Sequence, residues 1–172
     1  FRVLDVGDVT RVRPPQLPEP RFVADVNLGK LARYLRLLGF DTLSNGDWDD
    51  ADLVGIAGDQ QRVMLTKDRP LLKRSAVTHG CLVRSVQPFD QLLEVVERFG
   101  LLDRIEPFAR CMECNGVIQP VAKADIDHLL EPLTRRYFDE FRRCPECERV
   151  FWRGSHHRRL VSIVDRVRAE VT

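Results

Sequence analysis

Residues 21–100 alternate short apolar runs with amphipathic stretches, and this predicts an α/β fold with a mostly parallel sheet flanked by helices. Two Cys-x-x-Cys pairs, at 111–114 and 144–147, predict a compact four-cysteine module after the sheet. The length of 172 residues accommodates both, and 44% hydrophobic residues supply a real core. We divide the chain into a segment at 1–20, an α/β domain at 21–107 and a cysteine module with a final helix at 108–172.

The elements follow in order. Residues 1–20 carry four prolines between positions 14 and 20, a density that favours an extended linker. The chain begins with Phe1 rather than Met, so we expect it to be part of a longer one. The run RFVAD reads as a strand at 22–25 that ends in Asp25. A helix at 28–38 follows, with Leu28, Leu31, Ala32, Leu35 and Leu38 recurring at three- and four-residue steps. Lys30, Arg33 and Arg36 lie three apart and form a basic ridge on it. Gly39 stops the helix, and a short strand is expected at 40–43. DADLVGIAGDQ predicts a helix with Leu53, Ile56 and Ala57 inward. RVMLT predicts a strand, KDRPLLKRSA a short helix, CLVRS a strand, and PFDQLLEVVERFG a helix facing inward through Phe89, Leu92, Leu93, Val96 and Phe99.

Acidic residues recur at the strand ends. Asp25 closes the first strand, Asp68 follows RVMLT, and Asp49, Asp50 and Asp52 open the helix between them. Strand ends of a doubly wound sheet converge on one crevice, so Asp25 and Asp68 point into it and a helix-opening acid can join them. Carboxylates gathered there repel one another unless a hard cation, magnesium or manganese, lies between them. Such an ion activates a water and stabilises the leaving oxygen of a phosphodiester. The same acids also suit local structure: Asp25, Asp50 and Asp52 as helix caps, Asp68 as a turn residue before Arg69-Pro70. Cys81, within an apolar strand, reads as a small core residue.

In the cysteine module, Cys111, Cys114, Cys144 and Cys147 have the spacing of two knuckles that complete a tetrahedral zinc site. Asn115-Gly116 supplies a turn after the first knuckle, and VFWRG after the second reads as a strand, which is a zinc-ribbon pattern. Four thiolates leave no open ligand position, so the zinc is structural; an iron–sulfur cluster or two redox dithiols are the alternatives. Between the knuckles, residues 123–143 predict a helix, a proline break and a second helix. Arg142, Arg143 and neighbouring arginines interleave with Tyr137, Phe138, Phe141, Phe151 and Trp152, a composition suited to unpaired RNA or to a solvated face. His156, at the start of a final helix HHRRLVSIVDRVRA, can reach a phosphate or act as an acid.

The net charge of +1 excludes nucleic-acid binding by bulk electrostatics and leaves it to local patches. No apolar run reaches the roughly 20 residues of a membrane span, so no membrane partner is expected. Cysteines in metal-knuckle spacing suit a reducing compartment, and a cytoplasmic location is expected.

The runs DVNLGKLARYLRLLGFDT, DDADLVGIA and VMLTKDRPLLKR, followed by two Cys-x-x-Cys pairs closing on FWRGSHH, resemble the Mut-seven C-terminal RNase family across about residues 21–165. The resemblance implies a PIN-like nuclease domain with an appended zinc ribbon. It implies a metal-dependent ribonuclease whose acids are Asp25, Asp68 and Asp50, with Asp49 and Asp52 as close rivals of Asp50. A further acid after the fourth strand matches poorly, Asp90 being the nearest. Lys30, Arg33 and Arg36 match the signature helix and are expected on the phosphate backbone. The resemblance also implies that the chain can pair as a homodimer and that residues 1–20 are the remnant of an upstream ubiquitin-like domain. Two rivals to the enzyme remain: a non-catalytic RNA-binding or adaptor protein that uses its ribbon, and a protein-interaction module.

Overall fold

The structure is a computed structural model that describes residues 19–171. Of the linker and upstream remnant expected at 1–20, residues 1–18 lie outside the described residues. The four-stranded sheet is parallel throughout, in the order β2-β1-β3-β4, from β1 (Phe22–Ala24), β2 (Thr42–Leu43), β3 (Val63–Thr66) and β4 (Gly80–Leu82). The side-chain period of two divides each central strand between the sheet faces. Phe22, Ala24, Val63 and Leu65 join one core cluster, while Val23 and Met64 join another.

Helices cover both faces. On the first, α1 (Gly29–Leu37) and α4 (Pro88–Phe99) bury Leu31, Leu35, Leu92, Val95 and Val96. Full burial of each such side chain contributes about 1.5–3 kcal/mol. On the second face, α2 (Asp50–Asp59) and α3 (Arg69–Leu72) bury Leu53, Ala57 and Leu71 against Val23 and Met64. Cys81 is fully buried in the first cluster. No helix among the described residues is long and apolar enough to cross a membrane.

The second half begins with a segment tied to the end of α1: Glu106 N–H donates to Leu38 O at 3.0 Å and Phe108 N–H to Leu37 O at 3.0 Å. A three-stranded antiparallel sheet follows, β5-β6-β7, from β5 (Gln119–Val121), β6 (Phe141–Arg143) and β7 (Val150–Phe151). Short helices α5 (Lys123–Ile126) and α6 (Pro132–Tyr137) connect β5 to β6. The second helix expected before residue 143 therefore stops at Tyr137. Phe141 is needed inward, packed with Ile126 and Leu130, and extended pairing with β5 places it there.

The final helix α7 (Ser155–Glu170) follows the small sheet in sequence but packs on the first core. Val164 and Val167 are buried in the cluster formed by α1 and α4, and the Arg166 guanidinium lies 3.9 Å over the Phe89 ring.

Candidate functional site

Strand order reverses between β1 and β3, so the crevice of this sheet opens at their carboxyl ends. Asp25, immediately after β1, has only 8% of its surface exposed. The Thr66 hydroxyl at the end of β3 donates to Asp25 Oδ2 at 2.9 Å. The backbone N–H of Asp68 donates in turn to Thr66 Oγ1 at 3.0 Å. One hydroxyl thus connects the two acids expected at this edge. Asp25 also accepts a long 3.4 Å bond from Asn27 N–H, the helix-cap interaction that its position suggested. Asp68 precedes α3 and makes no side-chain capping bond, so its exposed carboxylate is not consumed by the turn.

The three helix-opening acids separate by role. Asp49 accepts from Ala51 N–H and Asp52 N–H, and Asp52 accepts from Asp49 N–H, a reciprocal capping box. Asp50 takes no part in that box and faces Arg74 at 3.3 Å in an exposed pair. Asp25, Asp50 and Asp68 are not gathered at ligand distance; among the described residues only the four cysteines form such a group. The carboxylate oxygens at the strand ends are of the hard donor type that magnesium or manganese takes. They do not form a cage of three protein carboxylates. Asp90, in the first turn of α4, is exposed.

An open cleft of about 610 Å³ runs along the same edge, lined by residues that follow each of the four strands, among them Val26, Lys30, Ser44, Lys67 and Val86. Lys30 and Lys67 are exposed and unpartnered among the described residues, while Arg33 pairs with Glu113. Arg36 departs from the expected ridge. It is 4% exposed, and it donates from Nε to Thr42 O at 2.7 Å, from Nη1 to Met112 O and Glu113 O, and from Nη2 to Ser44 Oγ. A three-residue step on a helix rotates about 300°, so the last cation turns inward and is used by main-chain carbonyls. Arg36 lines the cleft, but its donors are engaged by main-chain carbonyls, which makes it a structural clamp.

The four cysteines form a second centre, their sulfurs all within 4.8 Å of one another. Cys114 Sγ lies 3.3 Å from Cys144 Sγ and Cys111 Sγ 3.6 Å from Cys147 Sγ. Zinc–sulfur bonds of about 2.3 Å place tetrahedral sulfurs about 3.8 Å apart, so the set fits zinc. Burial, together with hydrogen bonds among the thiols, pushes the Cys114 thiol up to about 12, and a cation is what would let all four become thiolates. Both knuckles share one backbone pattern. Cys111 N–H donates to Gly116 O and Asn115 N–H to Cys111 O; Cys144 N–H donates to Arg149 O and Glu148 N–H to Cys144 O. The residue before each loop closes, Asn115 or Glu148, is left-handed, with φ of 72° and 63°. Asn115 adopts this conformation readily, and its buried side chain accepts from Thr42 N–H at 3.0 Å and donates to Asp41 at 2.8 Å.

Beside this centre lies a groove of about 590 Å³ between the small sheet, α7 and the Arg33 side of α1. Arg142, Trp152 and His156 line it. Arg142 is exposed and donates to Ile118 O at 3.2 Å, Trp152 is 38% exposed, and His156 is exposed at the start of α7. Arg143, expected beside Arg142, is half-buried and pairs with Glu148 at 2.7 Å, because neighbouring positions on a strand face opposite ways.

Residues 20–164 match the family model described as the Mut7-C RNAse domain. The chain belongs to that family. No curated protein and no solved structure gives a significant match. Membership assigns this Mut7-C RNAse domain a nuclease-like function, and its cysteine cluster is a site able to bind zinc. The strand-end edge also carries residues that reading the sequence passed over. Thr66 and Lys67 stand beside Asp68 in the run VMLTKD, where a hydroxyl and a cation next to a strand-end acid were the available signal. Arg149 and Arg153, two of the arginines read from the sequence as neighbours of Arg142, also line the groove.

Proposed function

We propose that this Mut7-C RNAse domain is a magnesium- or manganese-dependent ribonuclease whose hydrolytic centre is the strand-end edge around Asp25. The observation that carries the reading is the Thr66 hydroxyl at 2.9 Å from Asp25 Oδ2, which holds a nearly buried carboxylate in one orientation at the switch point of the sheet. Asp25 and Asp68 are the residues to hold the ion, and Asp50 is the helix acid left over once Asp49 and Asp52 cap α2. An exposed pair such as Asp50–Arg74 contributes little, so Asp50 is free to turn toward a cation. When bound, the ion supplies an activated water and neutralises charge on the leaving oxygen. Lys30 and Lys67 bind phosphate oxygens along the cleft and orient the phosphodiester toward Asp25. The cysteine centre holds a structural zinc, and Arg142, Trp152 and His156 extend the RNA surface.

A second reading, an RNA-binding or adaptor protein without catalysis, is favoured by one observation: Asp50 faces Arg74 rather than the other two acids. Purified protein and its Asp25→Asn variant, each incubated with labelled mixed-sequence RNA with and without manganese, separate the two. Asparagine keeps an acceptor for Thr66 while removing the charge. Manganese-dependent cleavage that falls by about a hundredfold or more in the variant is expected for the nuclease. Intact RNA, still bound by both proteins, would establish the second reading.

A further inference from the structure

Trp152, Phe151, Phe108 and His157 present ring faces or edges to the groove between the small sheet and α7. The Phe108 and His157 rings are stacked, with centroids 4.4 Å apart and planes at 25°. Burial, and then the charge of Arg153, lowers the His157 pKa below the ordinary imidazole value, so the stack contains a neutral ring at physiological pH. The rim is cationic, from Arg142, Arg149 and Arg153. Two of these cations have only remote, exposed acidic partners, Arg149 with Glu113 at 3.7 Å and Arg153 with Glu140 at 4.0 Å. Pairs of that kind contribute little, and phosphate oxygens replace them at small cost.

The groove adjoins the strand-end cleft, because the Arg33–Glu113 pair lines both. A mostly apolar groove with basic residues at its edge, next to a cleft with free lysines, has the chemistry of one ligand: an unpaired nucleobase on a phosphate backbone. At about 590 Å³ it accommodates one or two nucleosides. A base within a duplex cannot present its face there.

We propose that this groove is a nucleobase-binding subsite, in which an unpaired base of single-stranded RNA stacks on Trp152 while Arg142, Arg149 and Arg153 bind its flanking phosphates. The proposal rests on RNA being the substrate. It makes the ribbon a selector of unpaired strand: RNA reaches the Asp25 edge when the nucleotides beyond Arg33 are single-stranded.

The test uses zinc-loaded Trp48→Phe protein, so that Trp152 is the one remaining indole. Its fluorescence is titrated, without added magnesium or manganese, with a 12-nucleotide RNA, with the same strand annealed to its complement, and with an abasic ribose-phosphate strand of equal length. Quenching by the first strand alone is expected. Read by anisotropy of end-labelled strands, Trp152→Ala should weaken binding of the base-bearing strand by about tenfold or more and leave abasic binding unchanged. Trp152→Phe should recover most of that loss. Zinc content and a thermal melt establish that each variant is folded. Gly154→Ala provides a second route: a Cβ there would lie 2.9 Å from Trp152 Nε1, so the indole must shift and quenching should fall with every polar contact intact. Equal losses for base-bearing and abasic strands, equal quenching by duplex, or no binding would overturn the proposal. Base-dependent quenching without cleavage would remove only the nuclease reading, and cleavage without it would remove only this subsite.

Discussion

Arg36 donates from Nη1 to Met112 O at 3.0 Å and to Glu113 O at 2.8 Å, so the helix that follows Asp25 holds the backbone of the first cysteine knuckle. The same guanidinium donates to Thr42 O on the edge strand. Asn115 completes the attachment by accepting the Thr42 N–H, which would otherwise face outward as an unpaired edge donor. Cysteine cluster, edge strand and cleft helix are therefore one connected unit.

Arg36→Ala removes the donor to three main-chain carbonyls in a site that is 4% exposed. Each stranded acceptor costs about 1–3 kcal/mol, so a total loss of about 3–5 kcal/mol is expected from urea unfolding after partial rehydration. Arg36→Lys should recover little of it, because an ammonium cannot reproduce the planar fork. Lys30→Ala, on the exposed side of the same helix, should stay within about 0.5 kcal/mol.

Gly116 lies against the cysteine cluster. A Cβ there would be 2.8 Å from Cys144 Sγ and 2.7 Å from Glu146 Cγ. Gly116→Ala should weaken zinc retention by about tenfold or more, read by competition with a chromogenic chelator. Undiminished retention would mean that the second knuckle shifts freely.

Asp41 sets an acid limit on stability. Burial pushes its carboxyl up, but hydrogen bonds from Arg62 and Asn115, with the charges of Arg62 and Arg110, outweigh that and hold it below the ordinary 3.8. A depressed folded value stabilises fully above the unfolded one. That stabilisation is lost as pH falls below 3.8 and through the folded value. Unfolding free energy should drop over that acid window in the wild type, and Asp41→Asn should flatten the drop while lowering stability at neutral pH.

Arg142 and Arg143 should behave differently in RNA binding. Arg142→Ser removes an exposed cation and should reduce the salt slope of RNA affinity by about one. Arg143 faces Glu148 at 2.7 Å, and Arg143→Ser should leave the slope nearly unchanged while destabilising the ribbon. Equal slopes for both variants would place the RNA elsewhere.

Local pattern was enough for much of this protein. The apolar stripe Leu28, Leu31, Ala32, Leu35 and Leu38 reads as a buried helix face because helical period and hydrophobicity are both local, and every one of those residues is buried. The cysteine pairs read as one centre because knuckle spacing by itself aims two sulfurs at a common point. Tertiary structure decided the rest, for reasons no local pattern carries. Arg36 belongs to the same sequence ridge as Lys30 and Arg33, yet it is buried because carbonyls 76 and 77 residues away close over it. Asp49 and Asp52 form their capping box within a single turn, but the partner of Asp50, Arg74, is 24 residues away and reaches it through the fold. Local pattern was enough for the elements of the parallel sheet and for which sulfurs meet, but not for β6, where residues read as helix pair as a strand. Only the packing of distant segments decided which charged side chains are held by carbonyls and which remain for a ligand, because burial of an ion depends on what covers it.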